Sequence, residues 1–201
     1  MRKLQHLFVL LLLAARLEAQ LPVDRETHHK VILENPYFRL LEGNIPANDT
    51  TTAHQHAANS VVIFLSHSTF GIRTIGDKPV IATVNPGDLK YVAYGDKPVV
   101  HLVWNQTPPL FHFFVVELAK HPVTSDSCPI LSQASVTLRL HEPRVNAYSI
   151  DLSGTKSLHL KPAPCARLLI EPLPPNQYKF FPPKTPIDLN GAARYILLEI
   201  N

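Results

Sequence analysis

Short apolar runs separated by turn-forming residues recur along most of the chain. Seven of these runs are VIL from residue 31, FRLLEGNI from 38, SVVIFLS from 60, FGIRTI from 70, PVIATV from 79, PVVHLVWN from 98 and FHFFVVEL from 111. Stretches such as NPGD and YGDKP lie between them, and the spacing of apolar positions that marks a helix is nearly absent. The pattern therefore predicts an all-β sandwich or barrel, and the 19 prolines suit its edges and loops.

The C-terminal part of the chain resembles a degenerate copy of the part before it. FFVVEL, which ends at Leu118, is echoed by YILLEI, which ends at Ile200, and HQHAANSVVIFL has a faint echo in HLKPAPCARLLI. We therefore expect an N-terminal strand or arm over 20–36, a β barrel over 37–120 and a degenerate, related unit over 121–201. Chance similarity between two β-rich sequences is the alternative.

The first 19 residues are typical of a secretory signal peptide. Arg2 and Lys3 precede the apolar stretch LFVLLLLAA, which is too short to span a bilayer, and the small residue Ala19 ends the segment. We expect cleavage after Ala19, a mature chain that is secreted or periplasmic, and no membrane span in that mature chain. An uncleaved membrane anchor is the alternative.

Charge and cysteine content narrow the classes of partner. The formal net charge is +3, and it falls to about +1 without the signal peptide. No run of Lys or Arg remains to contact phosphates, so nucleic acid is not an expected partner. The two cysteines, Cys128 and Cys165, belong to no CxxC motif, which argues against a cysteine zinc site. A disulfide between them and two free buried thiols both stay open.

His54 and His56 carry the strongest chemical signal. Alternate side chains of a strand lie on one face, so these two imidazoles would project together. They can bind one divalent cation if a third ligand comes from a neighbouring strand, and His101, among apolar neighbours in PVVHLVWN, is the candidate. The alternative is a metal-free barrel in which the histidines serve as hydrogen-bonding groups of a pocket.

The histidines belong to two longer motifs. NDTTTAHQHAANSVVIFLSHSTFG, residues 48–71, and GDLKYVAYGDKPVVHLVWN, residues 87–105, resemble the two motifs of the cupin superfamily. The resemblance implies a double-stranded β-helix, the cupin jelly-roll barrel, duplicated here with degenerate motifs. It also implies a metal held by two histidines of the first motif and one of the second, which are His54, His56 and His101.

The motifs depart from the family where it places a glutamate. That carboxylate would fall at Ser60 or Val61, and neither residue is an acid. Ser60 lies in the neighbourhood of the lost ligand. His112 could replace that ligand if the last strand turns this side chain inward, but an exposed position on the strand is the favoured interpretation. Asn105, which ends the second motif, and Tyr91 are further candidates for the pocket. His28 and His29, in a polar N-terminal segment, are expected to be solvated.

The sequence thus predicts an exported, bicupin-like protein that binds a divalent transition metal and a small polar or carboxylate ligand in its N-terminal barrel. Imidazole accepts iron, manganese, zinc, nickel or copper, and the sequence does not choose among them. A metal-dependent enzyme of the dioxygenase, isomerase or lyase type and a metal-free ligand-binding barrel are the alternatives. No catalytic residue is assigned, and a homodimer is kept as an open expectation.

Overall fold

The computed structural model describes residues 20–121, 127–154 and 157–201. The predicted signal peptide, residues 1–19, therefore lies outside the described residues. The first nine strands are β1 His29–Glu34, β2 Phe38–Ile45, β3 His54–His56, β4 Asn59–Phe64, β5 Ser68–Thr74, β6 Val80–Val84, β7 Leu89–Ala93, β8 Val99–Asn105 and β9 Phe111–Leu118. The next seven are β10 Val136–Glu142, β11 Val145–Asp151, β12 Ser157–Leu160, β13 Ala166–Ile170, β14 Tyr178–Phe181, β15 Ile187–Asn190 and β16 Arg194–Ile200.

Among the described residues, the only helical element is a single 3-10 turn at Val23–Arg25. Among the described residues there is accordingly no helix with the length and apolar character needed to cross a membrane. The all-β class predicted from the short, turn-bounded apolar runs is therefore confirmed.

Strands β1 to β9 form a jelly roll made of two antiparallel sheets. One sheet has the order β1-β2-β9-β4-β7 and the other has the order β3-β8-β5-β6. Alternate residues of β9 separate the two environments of the first sheet. Phe111, Phe113 and Val115 belong to the core inside the barrel, whereas Phe114 and Val116 belong to a core on the outer face.

Strands β10 to β16 form a second set of sheets with a closely similar order. The five-stranded sheet runs β10-β11-β16-β13-β14, and β12 pairs only with β15. Matched in chain order, these strands repeat the arrangement of the first unit without its β5–β6 hairpin, because residues 171–177 alone join β13 to β14 within the described range 157–201. This order is what a duplicated architecture with a reduced second copy would produce, while the domain boundaries stay a prediction.

The two five-stranded sheets pack face to face through one apolar core. Its members from the first sheet include Phe38, Leu40, Val61, Ile63, Phe114 and Val116, and those from the second include Val145, Leu168, Ile170, Ile196, Leu198 and Ile200. Because this core lies outside the barrel of the first unit, the barrel interior remains available for a separate site. Cys128 and Cys165 form a disulfide that ties the segment before β10 to the start of β13, which decides between the two alternatives left open by the sequence.

Candidate metal centre

Strand pairing brings the three predicted histidines together inside the barrel. β3 runs antiparallel to β8, with His54 directly opposite His101 and His56 opposite Val99. The ring centroids of His54 and His101 are 4.8 Å apart, those of His56 and His101 are 4.9 Å apart, and those of His54 and His56 are 5.1 Å apart. All three side chains are buried. The HxH spacing and one cross-strand pair are sufficient to form this triangle of imidazoles.

A fourth imidazole, that of His29, joins the cluster from the opposite sheet. Its ring centroid lies 4.7 Å from that of His54 and 5.9 Å from that of His56. One ligating nitrogen from each of His29, His54 and His56 can be chosen so that the three atoms lie within 4.8 Å of one another. The expectation that His29 is solvated is wrong, since only 6% of the residue is exposed. A sequence signal existed, because His29 and Val31 continue the alternation of the inner barrel face.

Glu26 supports His29 and was not singled out from the sequence. One carboxylate oxygen accepts a hydrogen bond from His29 Nδ1 at 2.8 Å and another from the His28 amide at 2.9 Å, and the second oxygen lies 2.9 Å from His28 Nδ1. Burial of Glu26 alone would raise its pKa, but the hydrogen bonds from His29 and His28 outweigh burial and lower it. An ionised Glu26 accepts only, so His29 Nδ1 must be the donor, and the lone pair of that ring lies on Nε2.

His54 is oriented in the same sense by the backbone. Its Nδ1 lies 2.8 Å from the carbonyl oxygen of Thr52, and a carbonyl can only accept, so Nδ1 carries the proton and Nε2 carries the lone pair. That Nε2 is fully buried and has no hydrogen-bond partner among the described residues, and the same holds for Nδ1 of His101. Buried polar atoms are nearly always satisfied in native proteins, so these two nitrogens indicate a missing ligand.

Burial also sets the charge of the cluster. It lowers the pKa of His54 to about 4 and that of His101 to about 2, with the neighbouring imidazoles adding to the effect in both cases. Burial likewise lowers the pKa of His29. These imidazoles are therefore neutral at pH 7, which is the form that binds a metal. The donor set fits a divalent transition metal such as zinc, copper, iron or nickel.

A second buried carboxylate lies beside His56. Glu117 Oε1 is 3.8 Å from His56 Nδ1, and the other oxygen accepts hydrogen bonds from Arg39 Nε at 2.8 Å and Arg39 Nη2 at 2.6 Å. Burial alone would raise the pKa of Glu117, but the neighbouring His56 ring and the hydrogen bonds from Arg39 lower it. Glu117 ends a strand, where a charge usually meets solvent, yet only 5% of it is exposed. It supplies negative charge next to a ring of the cluster.

Two of the proposed substitute ligands do not join the imidazole cluster. Ser60 is buried, but its hydroxyl donates to the carbonyl oxygen of Ala58 at 2.9 Å. His112 lies on the outer face of β9, where its Nε2 is 2.9 Å from a carboxylate oxygen of Glu42 and its ring contacts Phe114. His112 therefore points outward, which agrees with the favoured interpretation and not with the substitute-ligand alternative, because its position in the strand places it on the face opposite Phe113.

The two proposed pocket residues also serve other purposes. Asn105 is buried, and its side-chain amide donates to the carbonyl oxygens of Ile45 at 3.1 Å and Pro109 at 2.8 Å, while its oxygen accepts from the Thr107 amide at 2.9 Å. It therefore fastens the loop between β8 and β9. Tyr91 points away from the barrel interior and packs against the core between the two five-stranded sheets. Its assignment to the pocket is therefore wrong.

A cavity of about 150 Å³ opens beside the imidazole cluster. His29, His56 and His101 form part of its wall, and Tyr94 and Lys90 supply the other polar groups. The remaining wall is apolar and consists of Val62, Phe64, Phe70, Ile72, Val80, Ala82, Val92, Val103, Phe111, Phe113 and Val115. The cavity can therefore hold a small molecule that places an apolar body against this wall and a polar group near the histidines.

The second unit has different chemistry at the matching position. There β12 pairs with β15, and His159 stands opposite Asp188, as His54 stands opposite His101. His159 Nδ1 lies 2.6 Å from the Asp188 carboxylate, and both side chains are more than half exposed. The sulfurs of Cys128 and Cys165 lie near Glu199, but they are bonded to each other. In the described part of this unit no imidazole cluster is present.

Comparisons with known proteins agree with this architecture. No protein-family model and no curated protein matches the sequence. AerE from Microcystis aeruginosa is similar with a TM-score of 0.55 at 13% identity, over 86% of this chain and 97% of that one. YhhW from Escherichia coli is similar with a TM-score of 0.56 at 11% identity, over 86% and 89% of the two chains.

A cupin 2 conserved barrel domain protein from Leptotrichia buccalis matches with a TM-score of 0.48 at 10% identity, over 94% of each chain. Identities this low concern the fold alone. At that level, the topology of β1 to β9 confirms the fold predicted from the two histidine motifs, a jelly-roll barrel of the cupin type.

Proposed function

We propose that the protein binds a divalent transition metal on His54, His56 and His101 and holds a small ligand in the adjoining cavity. The observation that carries this proposal is the buried Nε2 of His54, which has no partner among the described residues and carries its lone pair beside the neutral ring of His101. When bound, the metal would act as a Lewis acid toward an oxygen atom of the ligand. The protein side chains bind and orient that ligand and exclude water from its apolar part.

The cavity wall indicates the class of ligand. An engineered cavity of about 150 Å³ in another protein accommodates a benzene ring, which sets the scale of the molecule that fits here. Apolar side chains cover most of the wall, so burial of an apolar body would supply most of the binding free energy. Lys90 and the metal would both attract a carboxylate. We therefore propose a small carboxylate with an apolar body, which refines the polar ligand predicted from the sequence.

Metal content tests the proposal directly. The chain from residue 20 onward, reconstituted with zinc or nickel, should carry one metal per chain, measured by elemental analysis after desalting. A triple variant, His54→Ala, His56→Ala and His101→Ala, should carry none. The matched control replaces three histidines outside the cluster, His67, His112 and His159, by alanine and should keep the wild-type content. Wild-type protein that holds no metal after reconstitution would overturn the proposal.

A metal-dependent enzyme is the second candidate, and Tyr94 is the observation that favours it. Its ring centroid lies 6.2 Å from that of His56, it lines the cavity, and burial raises the pKa of its phenol, so the hydroxyl stays protonated and can donate a hydrogen bond to a bound molecule. Product analysis of a bound carboxylate after incubation with metal-loaded protein separates the two candidates. Turnover that is lost in Tyr94→Phe at unchanged metal content would identify an enzyme.

Export of the mature chain, the absence of a nucleic-acid partner and self-association as a homodimer remain proposals that rest on the sequence alone.

A further inference from the structure

The family pattern places a carboxylate ligand where this chain has Ser60 or Val61, and neither side chain can serve as that ligand. Ser60 uses its hydroxyl to bond the Ala58 carbonyl, and Val61 belongs to the core on the outer face of the sheet. The cluster nevertheless contains one imidazole beyond the motif histidines. It belongs to His29, which comes from β1 at the edge of the opposite sheet.

His29 and His101 each lie beside both members of the His54–His56 pair. The centroid distances from His29 are 4.7 and 5.9 Å, and those from His101 are 4.8 and 4.9 Å. Two imidazole nitrogens that share a zinc ion at about 2.1 Å each can be separated by at most about 4.2 Å. The nitrogens of His29, His54 and His56 already lie within 4.8 Å of one another, so small side-chain rotations would bring them to bonding distance.

The ring of His29 has the partner that a metal ligand requires. Metal-bound histidines usually donate their other ring nitrogen to a carboxylate or a carbonyl, which fixes the tautomer and raises the basicity of the ligating atom. His29 donates Nδ1 to Glu26 at 2.8 Å, as His54 donates Nδ1 to Thr52. The lone pair that can bind a metal is therefore on Nε2 in both His29 and His54.

The N-terminal segment holds Glu26 and His29 in place against β3. The Gln55 amide donates to the carbonyl oxygen of Leu21 at 2.7 Å, Pro22 forms an isolated bridge with Gln55, and Val23 is buried in the barrel core. Glu26 is itself only 1% exposed. Burying a carboxylate costs free energy unless hydrogen bonds satisfy it. The hydrogen bond from His29 helps to satisfy Glu26 and at the same time orients the imidazole ring.

We propose that His29 is the fourth protein ligand of the metal, in place of the glutamate of the family pattern, and that Glu26 is its positioning residue. This inference rests on the proposed metal binding. Four imidazole ligands contribute no charge of their own, so the negative charge beside the ion comes from Glu26 behind His29 and from Glu117 beside His56. Imidazole suits zinc, copper, iron and nickel, whereas carboxylate oxygens suit manganese. The protein should therefore bind manganese much more weakly than zinc or nickel.

Calorimetric zinc affinity of the chain from residue 20 onward tests the role of His29. His29→Ala should lower the affinity by about a hundredfold or more, whereas His67→Ala, an exposed histidine bonded only to Asn85, should leave it unchanged. Free imidazole added to His29→Ala should restore much of the affinity, because it can fill the space left by the ring. This rescue separates ligand loss from a defect of folding.

A double-mutant cycle tests Glu26. Glu26→Gln should lower zinc affinity about ten- to a hundredfold when His29 is present, in the range expected for a group that orients a ligand. The same change should have little effect when His29 is already alanine, whereas a purely structural role would lower the affinity in both backgrounds. If wild-type protein binds zinc and His29→Ala binds it equally tightly, this inference fails while the proposed function stands. If wild-type protein binds no metal, both fail.

Discussion

His54 and His101 are direct cross-strand partners, 47 positions apart in the chain, with ring centroids 4.8 Å apart at 90° to each other. This pairing explains why an HxH motif at one strand and a single histidine on a much later strand belong to one site. It also removes two ring nitrogens from water, and the unsatisfied Nε2 of His54 and Nδ1 of His101 are the result. The free energy cost of leaving them unpaired would be offset by a bound metal.

The metal-free protein should lose stability as the pH falls from 7.5 to 5. The folded state holds the pKa of His54 at about 4 and that of His101 at about 2, below the value of 6.5 expected for an exposed histidine. The unfolded chain therefore binds protons that the folded chain cannot bind in this range, and each such histidine costs about 2 kcal/mol by pH 5. Urea denaturation of chelator-treated protein at pH 7.5 and at pH 5 measures this loss of stability. Equal midpoints would contradict the buried, neutral state of these rings.

Replacing Asn105 should weaken the fold without changing the metal content. Asn105→Ala removes the amide that satisfies the carbonyls of Ile45 and Pro109 and the oxygen that accepts from Thr107, so we expect a loss of about 2–3 kcal/mol in the free energy of unfolding. Asn85→Ala, at an exposed turn, is the control and should change stability little. If the Asn105→Ala variant is fully folded but has lost its bound metal, Asn105 is part of the metal site and this prediction is wrong.

Lys90 should favour carboxylates over neutral molecules in the cavity. Benzoate and benzene have similar apolar bodies, and Lys90 lines the cavity but is exposed, so its charge is partly solvated. Lys90→Met should weaken benzoate binding up to about fivefold and leave benzene binding unchanged. NMR titration of metal-loaded protein measures both, with Lys78→Met, an exposed lysine outside the cavity wall, as the control. Equal weakening of both probes would show that Lys90 acts only through packing.

Arg167 and Glu199 should behave as a buried ion pair of the second unit. Arg167 donates from Nε at 3.0 Å and from Nη2 at 2.7 Å to one Glu199 oxygen, and burial raises the pKa of Glu199. Arg167→Met leaves that buried carboxylate without its cationic partner and with only the Tyr148 hydroxyl, at 3.3 Å, as a donor, so it should cost about 3–5 kcal/mol in denaturant unfolding.

The double variant Arg167→Met, Glu199→Gln should recover much of this loss, because the unpaired charge is gone. Arg194→Met, which breaks an exposed pair with Asp151, should leave the unfolding midpoint almost unchanged. If Arg167→Met were as mild as Arg194→Met, the Arg167–Glu199 pair would not be desolvated in solution.

The amino-acid sequence by itself determined where the strands form and that His54 and His56 lie on the same face of one strand. Apolar runs bounded by turn residues give strands because each run is too short for a helix and is closed by residues that disfavour continuation. Within a strand the period of two places His54 and His56 on one face without any tertiary contact. Those local rules, with the resemblance of the two motifs to cupins, were sufficient to predict the fold and to propose His54, His56 and His101 together.

Only the tertiary structure decided which side of each strand faces the cavity. β9 is buried on both faces, because one covers the barrel interior and the other packs on the second five-stranded sheet, so its sequence FHFFVVEL has apolar residues on both faces and shows no clear alternation. The pattern of β9 therefore could not decide between the outward position favoured for His112 and the inward alternative. The same holds for Tyr91 on β7, whose neighbour Lys90 lines the cavity instead.

The position of His29 was likewise set by the tertiary structure. A polar segment such as ETHHK reads as solvated when only its neighbours in the chain are considered. Antiparallel pairing with β2 carries β1 across the barrel from β3, and the buried carboxylate of Glu26 then turns the ring of His29 toward His54. A contact between residues 25 positions apart, on strands of different sheets, depends on how the sheets close over each other, and no local period encodes that closure.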